Sequence, residues 1–168
     1  VTTINFVLDK TAPIITVDPY NLDPTNLDIT VTVSVNEGSL NATSHTFTEN
    51  GSFTFTATDL AGNVTNRTIT ITNIDKNAPA VSGVSNNAFY NVNRTIVFDK
   101  GTGTLNGEAF VSGTIVSEEG SYTLIVTDDA GNSTTVNFVI DKTAPIVSGV
   151  ENNTYYNSNR TITFNEGS

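Results

Sequence analysis

The residues able to do chemistry in this chain are carboxylates at fixed spacing. Asp9, Asp75 and Asp141 each open an Asp-Lys-x-Ala-Pro joint, and Asp59 and Asp128 each open an Asp-x-Ala-Gly-Asn turn. Loop carboxylates are hard oxygen ligands of the kind calcium prefers. One candidate set for such an ion is Asp75, Asp99, Asp128 and Asp129, and its counterpart one repeat earlier is Asp9, Glu37 and Asp59. An ion held there would stiffen the boundary between repeats, but the roughly six to eight oxygens that calcium takes are not supplied by these residues alone. A simpler reading has Asp59 and Asp128 accepting N–H groups from their own turns. Lys10, Lys76 and Lys142 would then neutralise the joint aspartates.

Catalytic chemistry finds little to work with. His45 is the only histidine, and a general base needs a nucleophile and an orienting carboxylate around it. The second repeat has no histidine in the corresponding stretch, so His45 is expected to be a surface residue of a variable strand. Cysteine is absent, as are a glycine-rich phosphate loop and a His/Cys metal cluster. The chain is therefore expected not to be an enzyme and to carry no cofactor, with calcium as the one alternative.

The joints stand 66 residues apart, which makes the chain a set of similar modules. Residues 9–74 and 75–140 are expected to form two complete modules. Residues 1–8 parallel Ser133–Ile140 and are expected to be the last strand of a preceding module; residues 141–168 are expected to hold the first strands of a following one. Within a module the apolar residues alternate, as in Phe53-Thr54-Phe55-Thr56-Ala57 and in Tyr122, Leu124 and Val126, which is the period of a half-buried strand. Gly-Asn in each turn suits the positive φ of a tight hairpin. These patterns predict an all-β chain with about seven short strands per module, arranged as a two-sheet antiparallel sandwich. Phe89-Tyr90 and Tyr155-Tyr156 recur in register. Paired aromatics stack on sugars, but recurrence with the fold favours a place in the core.

The run Gly120-Ser121-Tyr122-Thr123-Leu124-Ile125-Val126-Thr127-Asp128-Asp129-Ala130-Gly131-Asn132, followed by Ile140-Asp141-Lys142-Thr143-Ala144-Pro145, resembles the tandem bacterial Ig-like domains of exported cell-surface proteins. The first module matches through Asn50-Gly51-Ser52-Phe53-Thr54-Phe55-Thr56-Ala57-Thr58-Asp59. The resemblance implies Ig-like antiparallel β-sandwich modules in an elongated array. In such a sandwich the last hairpin lies at the same end as the first strand, which is what would gather the candidate carboxylates. The implied role is a stalk or spacer that projects a functional domain from a bacterial cell surface or cell wall. The alternative is an adhesive module that recognises a host glycan or protein. Neighbouring modules of the same chain are the expected partners. The chain lacks the Trp and the Cys pair of antibody-type domains, so aromatic and β-branched packing must hold its core.

Charge argues against a nucleic acid or another polyanion as partner. The chain has 7 basic and 17 acidic residues, a formal charge of −10, and phosphate binding needs a basic face. No stretch of the sequence is long and apolar enough for a membrane span.

Overall fold

A computed structural model describes residues 2–165 of the chain. Val1, the first residue of the expected opening strand, and residues 166–168 of the expected following module lie outside that range. The described residues form strands and turns without a helix, so none is long and apolar enough to cross a membrane. The first repeat contributes β1 (Ile15–Val17), β2 (Ile29–Val35), β3 (Ser39–Leu40), β4 (Ser44–Phe47), β5 (Gly51–Thr58) and β6 (Val64–Ile71). The second contributes β7 (Val81–Ser82), β8 (Ala88–Tyr90), β9 (Arg94–Thr95), β10 (Val97–Phe98), β11 (Thr102–Leu105), β12 (Glu108–Phe110), β13 (Ile115–Val116), β14 (Gly120–Thr127) and β15 (Ser133–Ile140). Two short strands follow, β16 (Val147–Ser148) and β17 (Thr163–Phe164), paired antiparallel. The chain divides into two compact units, Val1–Pro79 with Thr127–Thr134, and Ala80–Val126 with Thr135–Ser168.

Unit 1 is built from two three-stranded sheets, β1-β2-β4 and β3-β5-β6. Strict alternation in β2 buries Ile29, Val31 and Val33 and exposes the threonines between them. β5 does the same with Phe55 and Ala57, both fully buried, while its threonines stay on the outer side. Both sheets feed one apolar cluster, Ile29, Val31, Val33 and Phe47 from the first and Phe55, Ile69 and Ile71 from the second. Each such side chain contributes roughly 1.5–3 kcal/mol on burial, so this cluster outweighs any surface pairing in the unit. The outer face of the β5-β6 ladder is closed by hydroxyl pairs, Thr54 with Thr68 at 2.9 Å and Ser52 with Thr70 at 2.8 Å.

Unit 2 holds a five-stranded sheet in the order β12-β11-β14-β15-β8. Its core is Val84, Ile96, Val116, Leu124, Val126, Val136, Phe138 and Ile140. Tyr122 stacks on Phe138 with ring centroids 5.1 Å apart, and Tyr90 meets the same ring edge-on at 6.3 Å. The antiparallel rule expected from the sequence fails where β15 pairs with β8 in parallel, Val139 opposite Phe89. Hairpin neighbours must run antiparallel, but β8 and β15 are far apart in the chain and are free of that constraint. An isolated parallel bridge between Thr25 and Ile74 takes the corresponding place in the first repeat.

Residues 2–8 carry no strand, and Ile4, Phe6, Val7 and Leu8 are exposed. The count of about seven strands per module is corrected as well: the first repeat has six and the second nine, several of them two residues long. One cause is visible at Gly83, whose φ is +93° and where a Cβ would stand 1.9 Å from the Thr95 carbonyl oxygen. Two backbones can cross that closely only where a residue has no side chain.

Candidate functional site

Each Asp-x-Ala-Gly-Asn turn joins two long strands, β5 to β6 and β14 to β15, and its shape follows from its residue types. In the first turn the Asp59 N–H donates to the Asn63 carbonyl at 3.1 Å, and Gly62 supplies a φ of +90°. In the second the Asp128 N–H donates to the Asn132 carbonyl at 3.0 Å, and Gly131 supplies +87°. The aspartate side chains turn inward and are buried, Asp59 at 9% and Asp128 at 8% exposure. A buried carboxylate must find donors. The Asn63 N–H reaches Asp59 Oδ1 at 2.8 Å and the Asn63 Nδ2 reaches Oδ2 at 2.8 Å. Asp128 Oδ1 accepts the N–H of Ala130 at 3.1 Å and of Asn132 at 2.8 Å, and Asn132 Nδ2 donates to Oδ2 at 3.0 Å. The Asn63 side-chain bond, assisted by the turn's N–H groups and opposed by burial, holds the Asp59 carboxyl below the usual carboxylate range.

The same asparagines reach the joints. Asn63 Nδ2 also donates to the carbonyls of Asp9 at 3.3 Å and Thr11 at 3.2 Å. Asn132 Nδ2 donates to the Asp75 carbonyl at 2.8 Å. Two residues further on, Thr65 Oγ1 donates to the Pro13 carbonyl and Thr134 Oγ1 to the Pro79 carbonyl, both at 2.6 Å. Pro13 and Pro79 are themselves buried. The result is a clamp made of Asp, Asn and Thr that fixes the backbone of the joint at several carbonyls. Inside unit 1 the Asn26 N–H also donates to the Ala130 carbonyl at 3.0 Å, and the Asp75 N–H to the Thr25 carbonyl at 2.9 Å.

Three of the remaining calcium candidates each accept a backbone N–H. Asp9 Oδ1 accepts the Thr11 N–H at 2.9 Å, Asp75 Oδ1 accepts the Asn77 N–H at 2.9 Å, and Asp99 Oδ1 accepts the Ala80 N–H at 2.8 Å. Asp129 is exposed and Glu37 is half-buried. Among the described residues no three His, Cys, Asp or Glu side chains gather as a metal-holding group. The joint lysines do not neutralise their neighbouring aspartates as expected. Lys76 Nζ pairs with Asp28 at 2.6 Å, and Lys142 Nζ bonds Asn93 Oδ1 at 2.7 Å and the Ser117 carbonyl. Successive side chains of an extended joint point to opposite sides, which turns each lysine away from the aspartate before it.

His45 is half-buried rather than a surface residue. Its ring stacks on Phe53 at 3.9 Å and meets Phe47 edge-on at 4.6 Å. The recurring aromatic pairs are also divided: Tyr90 and Tyr156 are half-buried, but Phe89 is 77% and Tyr155 100% exposed. In β8 adjacent residues face opposite ways, so only one of Phe89 and Tyr90 can enter the core. The asparagine and threonine of the clamp were missed by reasoning from acidic and catalytic residues. Their signal was available as Asn-x-Thr in register at Asn63-Val64-Thr65 and Asn132-Ser133-Thr134.

No protein-family model matches the chain. Over an alignment 77 residues long that covers 40% of the chain, the sequence is 43% identical to an outer cell wall protein of Brevibacillus brevis (strain 47). The match spans 8% of that protein's length.

Proposed function

We propose that the chain is part of a repeat region acting as a spacer that projects another domain from a bacterial cell surface or cell wall. It is no enzyme in this reading, and its modules are tandem Ig-like sandwiches with boundaries at residues 9–74 and 75–140. The observation that carries the proposal is the clamp, built twice from the same residue types at the same places. A flexible linker needs no side chains dedicated to its carbonyls; a joint that must resist bending does. Proline adds to this, because it fixes its own φ and biases the residue before it toward extended geometry. The likeness to an outer cell wall protein supports the location. The charge of −10 and the neutral Thr, Ser and Asn surface suit a solvated, non-associating stalk.

The test uses the absence of native cysteine. Spin labels at Leu60→Cys and Val111→Cys, both exposed positions, report the distance between the two repeats in solution. A narrow distribution that broadens in Asn132→Ala supports a spacer with a clamped joint. A broad distribution in the otherwise native chain rejects it.

A further inference from the structure

The outer face of the five-stranded sheet carries an aromatic ring that the core leaves out. β8 is the edge strand, and its Phe89, 77% exposed, stands in register with Val139 of β15. Beside it runs an open groove of about 250 Å³ lined by Phe89, Asn87, Ser121, Thr123, Asn137 and Val139 among others. Thr123 Oγ1 donates to Asn137 Oδ1 at 2.8 Å, which fixes that amide and leaves its Nδ2 without a partner among the described residues. The Asn87 N–H is tied to the Asn137 carbonyl at 2.6 Å in a turn where Asn87 holds a φ of +60°. The groove therefore sets one aromatic face beside several neutral donors and acceptors.

The arrangement has a local frame that recurs. Tyr90, next to Phe89, is anchored by the Ser85 N–H on its hydroxyl at 2.8 Å and by Arg94 over its ring at 4.2 Å. One period later Tyr156 is anchored by the Glu151 N–H at 2.6 Å and by Arg160 at 4.2 Å, while Tyr155 is fully exposed after Asn153 at φ +60°. In both copies the second aromatic holds the turn and the first is presented to solvent.

We propose that this face binds the sugar rings of a neutral glycan. A pyranose has an apolar C–H face that suits Phe89 and an edge of hydroxyls that suits the Asn87 and Asn137 amides and the Ser121 hydroxyl. No residue lining the groove is charged, and the chain is strongly acidic, so an anionic polymer gains no counter-charge here and meets long-range repulsion. The volume lies below the roughly 300 Å³ at which drug-sized pockets begin, so the groove takes about one sugar ring at a time. A polymer engaging Phe89 and Tyr155 together would gain by multivalency over a single ring.

The test is a titration of the isotopically labelled chain, followed by amide and side-chain resonances, with N-acetylglucosamine tetramer and maltotetraose as neutral probes and heparin as the anionic one. Saturable shifts at Asn87, Phe89 and Asn137 with a neutral probe are expected. In Phe89→Ala they should weaken about fivefold or more, the weight of one aromatic contact, and Phe89→Tyr should keep them. The exposure of Phe89 lets both variants fold. The proposal is overturned by silence toward both neutral probes, by binding of heparin alone, or by neutral binding that Phe89→Ala leaves unchanged. The spacer reading stands in any of those cases, since its own test reads distances between labels.

Discussion

The turn-and-joint regions of the two repeats are built from the same residues, whereas the apolar filling beneath them is not. Asp59, Asn63, Thr65 and Pro13 in one repeat do what Asp128, Asn132, Thr134 and Pro79 do in the other, to within a few tenths of an ångström in the threonine and asparagine bonds. The filling differs in kind. Phe53 is covered by His45 in the first repeat, while Tyr122, its counterpart, lies on Phe138 in the second. The difference reflects the two forces at work. Hydrogen bonds to particular carbonyls need donors at particular points, so few residue types serve. Apolar burial is non-directional and asks only for volume and shape, so several combinations serve.

The comparison is most strongly tested in the core. Phe138→Ala should cost about 3–5 kcal/mol in denaturant unfolding, because it removes a buried ring and its contacts with Tyr90 and Tyr122. Its counterpart Ile69→Ala, without a ring contact, should cost about 2–3 kcal/mol. Equal losses would mean that the different filling is energetically of no account. Next come the clamps. Asn63→Ala and Asn132→Ala should each cost about 1–3 kcal/mol, since each leaves a buried carboxylate and joint carbonyls short of a donor. The two losses should agree; a silent variant on one side would break the equivalence of the turns.

Acid should act on the first turn as well. The folded-state pKa of Asp59 is lowered, so its contribution to stability is present above the unfolded value of about 3.9 and is lost as pH falls through the folded value. Thermal unfolding followed below about pH 4 should therefore show a shallower acid limb in Asp59→Asn than in the native chain. His45→Ala should have a smaller effect, about 0.5–1.5 kcal/mol, limited to the first repeat because only there does a histidine cover the ring. The smallest effect is expected from calcium: the carboxylates are held by their own turns, and millimolar calcium should leave the unfolding temperature where chelator leaves it. An upward shift lost in Asp75→Asn would support a calcium ion at the joint.

Much of the fold was legible because it depends on local rules. The alternation of Phe53, Phe55 and Ala57 marked β5 and its buried face, and Gly62 and Gly131 marked the turns by the φ they alone adopt easily. The site was half legible: the aspartates stood out, and their capping role followed from the turn, but the reach of Asn132 back to Asp75 spans 57 residues of sequence. No local rule carries that information. The parallel pairing of β8 with β15 and the exposure of Phe89 were hidden for the same reason, since a period of two cannot say which neighbour a strand takes or which member of Phe89-Tyr90 faces in.

The sequence by itself determined the repeat, the all-β character and the places of the turns, because periodicity, glycine and proline act within a few residues of themselves. Only the tertiary structure decided that Asn63 and Asn132 reach back to the joint carbonyls, that Lys76 pairs with Asp28, and that one aromatic of each pair is left on the surface. Those outcomes depend on which distant backbone atoms come within hydrogen-bonding or packing distance, and that is set by the assembled sheets rather than by neighbours in the chain.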